Sequence, residues 1–151
     1  MKNIVVDFDN TMGVHGCDVD DGLALLALLG NPSLCKVVGL TTTYGNSTIE
    51  VVHSNTERFI RELEVNVPLY RGAATADEPP SPAARFLANI TAEHPGEISI
   101  LATGSLTNLK GAAQIDPSFF DNVKEIALMG GVLSALIING RIMDELNFSC
   151  D

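Results

Sequence analysis

The chain has 151 residues, of which 46% are hydrophobic and 19% are charged, a balance typical of a globular protein long enough to bury a core. Its formal net charge of −10 repels a phosphate backbone, so we expect no nucleic-acid polymer as a partner. We see no signal peptide, and no apolar run approaches the roughly 18 residues that a membrane helix needs. Three cysteines without a paired spacing argue against a disulfide framework. These features predict a cytoplasmic protein that does not bind membranes.

Strand-like and helical patterns alternate along the chain. In chain order they predict a strand at residues 3–9, a helix at 20–30, a strand at 36–44, a helix at 47–63, a loop at 72–82, a strand at 97–103, a helix at 106–114 and a strand at 123–129. The second helix is expected to begin with Ser47 as N-cap and Glu50 as its capping-box partner. Alternating strands and helices predict one α/β domain over residues 1–151, an open, mainly parallel, Rossmann-like sheet with helices on both faces.

Each predicted strand ends in a polar or glycine-rich turn. In open α/β sheets, ligands bind in the crevice outside the carboxyl ends of the strands. The four turns are therefore expected to meet at one site. They lie at residues 7–10, 42–46, 103–105 and 129–131.

Aspartate is concentrated at the start of the chain. Carboxylates held close together repel each other unless protons or a cation intervene. A single acid there could merely cap a helix, but this does not account for the pair that ends the first strand. Oxygen ligands of this kind suit Ca²⁺, which takes about six to eight of them from flexible loops. The cluster consists of Asp7, Asp9, Asp18, Asp20 and Asp21.

Five sequence blocks carry a more specific signal when they are taken together and in order. They are D-x-D and D-D at residues 7–9 and 20–21, T-T-x-x-G-N-x-T at 41–48, T-G-x-L-T-N at 103–108, L-M-G-G at 128–131 and E-x-N at 145–147. This arrangement resembles the inosine/uridine-preferring nucleoside hydrolase family. The resemblance implies hydrolysis of the N-glycosidic bond of a small-molecule ribonucleoside, in purine or pyrimidine salvage, by an enzyme that is a possible homo-oligomer.

The resemblance also implies roles for individual residues. Asp9 and Asp21 would bind Ca²⁺ through their carboxylates, and Thr103 would bind it through its backbone carbonyl. Asp9 would in addition take the proton of the attacking water, as a general base. Positive charge builds on the sugar when a glycosidic bond breaks. The residues expected to hold the ribose are Asp20, Asn46, Asn139, Glu145 and Asn147.

The chain departs from the family pattern in two respects. Ten residues separate Asp9 from Asp20, where the family usually has D-P-G-x-D-D, and this leaves open whether Asp18 is a ligand. Family members are also about twice as long, and their second half supplies another calcium-binding aspartate and a histidine near the leaving base. We therefore expect a truncated, N-terminal half of the family's domain, with an apolar exposed flank and little or no activity of its own.

Two other interpretations stay open at this point. Residues 7–11 fit the D-x-D-x-T motif of HAD-type phosphatases, with Asp7 as nucleophile and Asp9 as acid/base. That family also needs a later acidic pair, and no G-D-x-x-x-D motif follows residue 103. Alternatively, the chain is a catalytically inert fragment that only binds nucleosides.

Overall fold

The computed structural model describes residues 1–78, 80–134, 136–143 and 147. Its main sheet has five parallel strands in the order β3-β2-β1-β4-β5. Two further strands, β6 and β7, form a separate antiparallel pair. The strands are β1 (Lys2–Phe8), β2 (Cys35–Thr42), β3 (Leu69–Tyr70), β4 (Ile98–Ala102), β5 (Glu125–Leu128), β6 (Leu136–Ile138) and β7 (Arg141–Met143).

Helices cover both faces of the main sheet, because side chains of successive strand residues point to opposite faces. Val5 of β1 packs in a core with helices α3, α4 and α5, whereas Val6 packs on the other face with α1 and α2. The fold class predicted from the sequence is therefore confirmed. The helices are α1 (Asp20–Leu29), α2 (Ile49–Glu62), α3 (Pro82–Glu93), α4 (Thr107–Ile115) and α5 (Phe119–Asn122).

Seven of the predicted elements occur within two residues of their expected ends. The predicted capping box is wrong: α2 begins at Ile49, so Thr48 and not Ser47 precedes the helix, and Thr48 makes no side-chain cap hydrogen bond. Strands β3, β6 and β7 and helices α3 and α5 were not predicted. Helix α3 directly follows the predicted loop, and its N-cap Ser81 accepts a hydrogen bond from the Ala84 backbone N–H at 3.2 Å.

The chain order of the strands creates a switch point in the middle of the sheet. From β1 the chain continues outwards to β2 and β3, and it then returns to place β4 on the other side of β1. A crevice forms at the carboxyl ends of the strands where the winding direction changes, and ligands bind there in sheets of this type. The carboxyl ends of β1 and β4 are therefore where a site is expected.

In the part of the chain that the structure describes, the helices are all too short or too polar for a membrane span.

Candidate active site

Two buried carboxylates, Asp9 and Asp21, meet at this switch point. Asp9 follows β1 and Asp21 lies in the first turn of α1, and each is only 3% exposed. Their side chains are hydrogen-bonded to each other, which requires a shared proton unless a cation takes its place.

Burial is the main influence on the acidity of this pair. Burial raises the pKa of Asp21 to about 8. A hydrogen bond from Thr103 lowers this pKa, whereas the charges of Asp9 and Asp20 raise it further. Burial also raises the pKa of Asp9, although hydrogen bonds from the Asn46 backbone and from Asp21 oppose the shift. The fold therefore holds two carboxyl groups where negative charge is costly. A perturbed pair of this kind in a cleft is typical of a functional site.

The turn after β2 holds the Asp9 carboxylate in place. The Asn46 backbone N–H donates to Asp9 Oδ2 at 2.6 Å, and the Asn46 side-chain amide donates to Asp21 Oδ2 at 3.3 Å. Gly45 lies so close to Asp9 Oδ2 that a Cβ there would collide with it. In the G-N dipeptide of the T-T-x-x-G-N-x-T block, Gly45 thus lets the turn approach Asp9 closely, and Asn46 contacts both carboxylates.

The end of β4 supplies the other wall of the site. Thr103 Oγ1 donates to Asp21 Oδ1 at 2.5 Å, and the Thr103 backbone N–H donates to the Asp7 carbonyl at 2.9 Å. The Asn147 side-chain amide donates to the carbonyls of Thr103 and Met129, at 3.0 and 2.8 Å. Asn147 is 5% exposed. Its two hydrogen bonds tie the ends of β4 and β5 together. A carbonyl oxygen has two lone pairs, so Thr103 can accept this bond and still face a cation.

The ligand atoms that the described residues offer to a metal ion here are oxygens, which suits a hard divalent cation. Among the described residues, no three His, Cys, Asp or Glu side chains converge to hold a metal ion. The described part of the chain thus offers two carboxylates and the oxygens of Thr103. This set fits an ion that completes its shell with water or with further protein ligands, and calcium at this site stays a prediction.

The residues predicted to bind ribose are placed in different ways. Asn46 belongs to the carboxylate pair's own hydrogen bonds, and Asp20 is exposed beside the pair, close enough for its charge to act on both. Asn139 lies at the exposed turn between β6 and β7, outside the described contacts of the site. Its φ of 52°, followed by Gly140 at 76°, suits an Asn-Gly hairpin turn, which by itself accounts for asparagine there. Glu145 lies outside the described residues.

Asp7 is placed where it cannot act as a nucleophile. It is 0% exposed, and its Oδ1 accepts hydrogen bonds from Thr41 Oγ1 at 2.6 Å and from the Asn108 amide at 2.8 Å. A phosphatase nucleophile must reach its substrate, so this geometry does not favour the phosphatase interpretation.

Asn108 is a structural residue of the site that sequence reasoning missed. On the first turn of α4, its side-chain amide donates to Asp7 and to the Thr42 carbonyl, the latter at 2.9 Å. Its Oδ1 accepts hydrogen bonds from the Ala73 backbone and from Ser81 Oγ, at 3.4 and 3.0 Å. One buried amide thus joins the ends of two strands to the segment that precedes α3. Its place as the last residue of the T-G-x-L-T-N block was the available signal.

The model of a protein family described as inosine-uridine preferring nucleoside hydrolase matches residues 4–151 of this chain. The chain belongs to this family. Three of the nucleoside hydrolase blocks identified in the sequence meet at the switch-point site, where the turns after β1, β2 and β4 surround the carboxylate pair.

Individual relatives agree with this assignment. The chain is 32% identical to a probable uridine nucleosidase 1 of Oryza sativa subsp. japonica, over 78% of this chain and 45% of the relative. It is 29% identical to an inosine-uridine preferring nucleoside hydrolase of Leishmania major, over 76% of this chain and 46% of the relative. Among solved structures, a purine-preferring ribonucleoside hydrolase from Gardnerella vaginalis matches with a TM-score of 0.81 and 25% identity, over 99% of this chain and 55% of that one. The chain thus spans about half the length of the relatives it matches.

Proposed function

We propose that the protein hydrolyses the N-glycosidic bond of ribonucleosides to free base and ribose, with Asp9 as general base and Ca²⁺ as cofactor. The observation that supports this most is the buried Asp9–Asp21 pair, at the switch point of a chain that belongs to a nucleoside hydrolase family. Relatives named as uridine, inosine-uridine and purine-preferring hydrolases support a nucleoside substrate. The cytoplasmic location, the homo-oligomer and the salvage role stay predictions.

Residues of this chain can perform the first proton transfer. Asp9 and Asp21, with the Thr103 carbonyl, would hold the calcium ion, which when bound acidifies a water molecule next to it. Asp9 would accept a proton from the attacking water while the water oxygen bonds to the anomeric carbon. The base would leave with the electron pair of the broken N-glycosidic bond and then take up a proton from solvent.

Neighbouring groups can orient the sugar. Asn46 lies against both carboxylates, and the exposed carboxylate of Asp20 lies beside them, so a ribose seated there meets hydrogen-bonding groups on two sides. The carboxylate of Asp20 would also stabilise the positive charge that develops on the ring.

Product analysis tests this function. In a longer form of the protein that includes the family's second half, we expect release of free base from inosine or uridine, measured by chromatography. Asp9→Asn should lower the rate by about 10² to 10⁴, because the amide cannot accept the proton of the water. Asp121→Asn, which changes an exposed aspartate of α5, is the matched control and should retain the rate.

The same variants and substrates also test the phosphatase alternative. Release of phosphate from a phosphoester, lost in Asp7→Asn and without any base release from inosine or uridine, would contradict the proposed function.

A further inference from the structure

The segment of residues 10–19 connects Asp9 directly to the start of α1, which contains Asp21. It is longer than the loop usual in the family, yet it is folded onto itself. Thr11 Oγ1 donates to the Asp18 carbonyl at 3.0 Å, and the backbone N–H of Val14 donates to the Thr11 carbonyl at 2.9 Å. Thr11 is fully buried, so the base of the segment is part of the protein interior.

One side chain of the neighbouring helix α2 holds this base. Asn55 is 6% exposed, and its amide donates to the carbonyls of Asn10 and Met12, at 3.2 and 3.1 Å. The orientation of the amide is set in turn by Arg58, which donates to Asn55 Oδ1 at 2.8 Å. Both bonds from the Asn55 amide bridge more than forty residues of sequence, so they fix the segment to a separate element.

The same segment touches α1 at the residue after Asp21. Met12 packs against Gly22 so tightly that a Cβ on Gly22 would lie 2.5 Å from Met12 Sδ and 2.6 Å from Met12 Cβ. Close contacts of this kind, here between the half-buried Met12 and the buried Gly22, transmit a displacement because close-packed atoms do not absorb one. A continuous path therefore runs from Asn55 through Met12 to the first turn of α1.

We propose that Asn55 is a positioning residue that holds Asp9 and Asp21 at the separation that the cation needs. It touches neither the substrate nor the ion. It acts by fixing the carbonyls of Asn10 and Met12. Asn10 directly follows Asp9, and Met12 packs against the helix turn that contains Asp21. The calcium part of this inference rests on the proposed function, whereas the mechanical link between α2 and α1 does not.

Asn55→Ala removes both hydrogen bonds from the segment and adds no charge. The matched control is Thr91→Val, which removes a buried hydroxyl of α3 that also donates to two carbonyls, those of Leu87 and Ala88. Both variants lose stability, but only Asn55 lies on the path to the carboxylates. Two measurements on the 151-residue chain separate them: calcium affinity by titration calorimetry, and hydrogen exchange of the amides in residues 10–22.

We expect Asn55→Ala to weaken calcium binding by about tenfold or more, as outer contacts of metal ligands typically do. Exchange across residues 10–22 should speed up by a similar factor of about ten, because local opening governs it. Thr91→Val should leave both quantities within about twofold of the wild type, since distant sites act independently. If Asn55→Ala proves too unstable, Asn55→Ser is the second variant, since its short hydroxyl cannot span both carbonyls.

Two results would overturn the proposal: wild-type exchange across residues 10–22 in the Asn55 variant, or an equal loss of calcium affinity in Thr91→Val. Absence of calcium binding in the wild type would count against the proposed cofactor instead. The exchange measurement would then still decide whether Asn55 fixes the segment.

Discussion

At the scale of single residues, the site places charge where it costs stability. A carboxylate pair that is 3% exposed and mutually hydrogen-bonded is tolerated because a cation or a proton offsets the repulsion. Functional sites often contain such locally unfavourable groups, and removing them commonly stabilises a protein. The pair is therefore expected to lower the stability of the fold while it supports the function.

We predict that Asp21→Asn is more stable than the wild type when calcium is removed by a chelator. The amide keeps an acceptor for Thr103 and a donor for Asp9. It also removes a buried carboxyl group that must take up a proton at neutral pH, because burial raises the pKa of Asp21 to about 8. The expected gain is about 1 to 2 kcal/mol, or roughly 3 to 8 °C in a melting experiment at neutral pH. Calcium should raise the melting temperature of the wild type by more than that of the variant at the same calcium concentration.

Asp18→Asn is the control for this prediction, because Asp18 is exposed and should change stability by less than about 0.5 kcal/mol. A chelator-treated Asp21→Asn protein that melts below the wild type would show that the carboxylate stabilises the fold.

The sequence motifs include Asp9, Asp21, Asn46 and Thr103, which lie together in the structure, but they gave no role to the amides of Asn55 and Asn108. Asp9, Asn46 and Thr103 come together because the strand ends of a parallel sheet share one edge, and Asp21 joins them from the first turn of α1. The importance of Asn55 depends on carbonyls 43 and 45 residues away in the sequence. Local patterns contain no information about such distant partners.

At the scale of elements, periodicity predicted the strands and helices whose apolar stripes are regular. Helix α3 was missed because three prolines come just before or at its start, and they indicated a loop. Ser81 followed by Pro82 was nevertheless a helix-start signal. The two-residue strand β3 is held by pairing with β2, which depends on the tertiary fold rather than on its own composition.

Asn108 joins elements at the carboxyl ends of the strands. We therefore predict that Asn108→Asp strongly lowers the stability of the fold. The substitution replaces the amide that donates to Asp7 and to the Thr42 carbonyl with an oxygen that repels both. We expect a loss of about 2 to 4 kcal/mol in the free energy of unfolding, measured by chemical denaturation.

Asn89→Asp, an exposed change of the same type on α3, is its control and should stay within about 0.5 kcal/mol of the wild type. Equal stability of the two variants would show that Asn108 does not join these elements.

At the scale of the whole molecule, the sheet is covered by helices on both faces but has an apolar flank at β5. Phe120, Leu128 and Met129 at this flank are 56%, 45% and 46% exposed, and whether a second half packs there stays a prediction. Exposed apolar patches of this kind mark surfaces that pack against other protein.

The net charge of −10 acts at this scale too. It creates a negative field that attracts a divalent cation and disfavours polyanions, in agreement with the proposed cofactor and with a nucleoside substrate that has no phosphate.

The most direct test of the central claim is the rate of base release from inosine or uridine as a function of free calcium. It is measured in a form of the protein that includes the family's second half, alongside the 151-residue chain. We predict that the longer form loses its activity in chelator and recovers it with added calcium. Asp21→Asn should need at least about tenfold more calcium, and the 151-residue chain should release little or no base. Equal rates in chelator and in calcium would contradict the claim that the Asp9–Asp21 pair works through a bound cation.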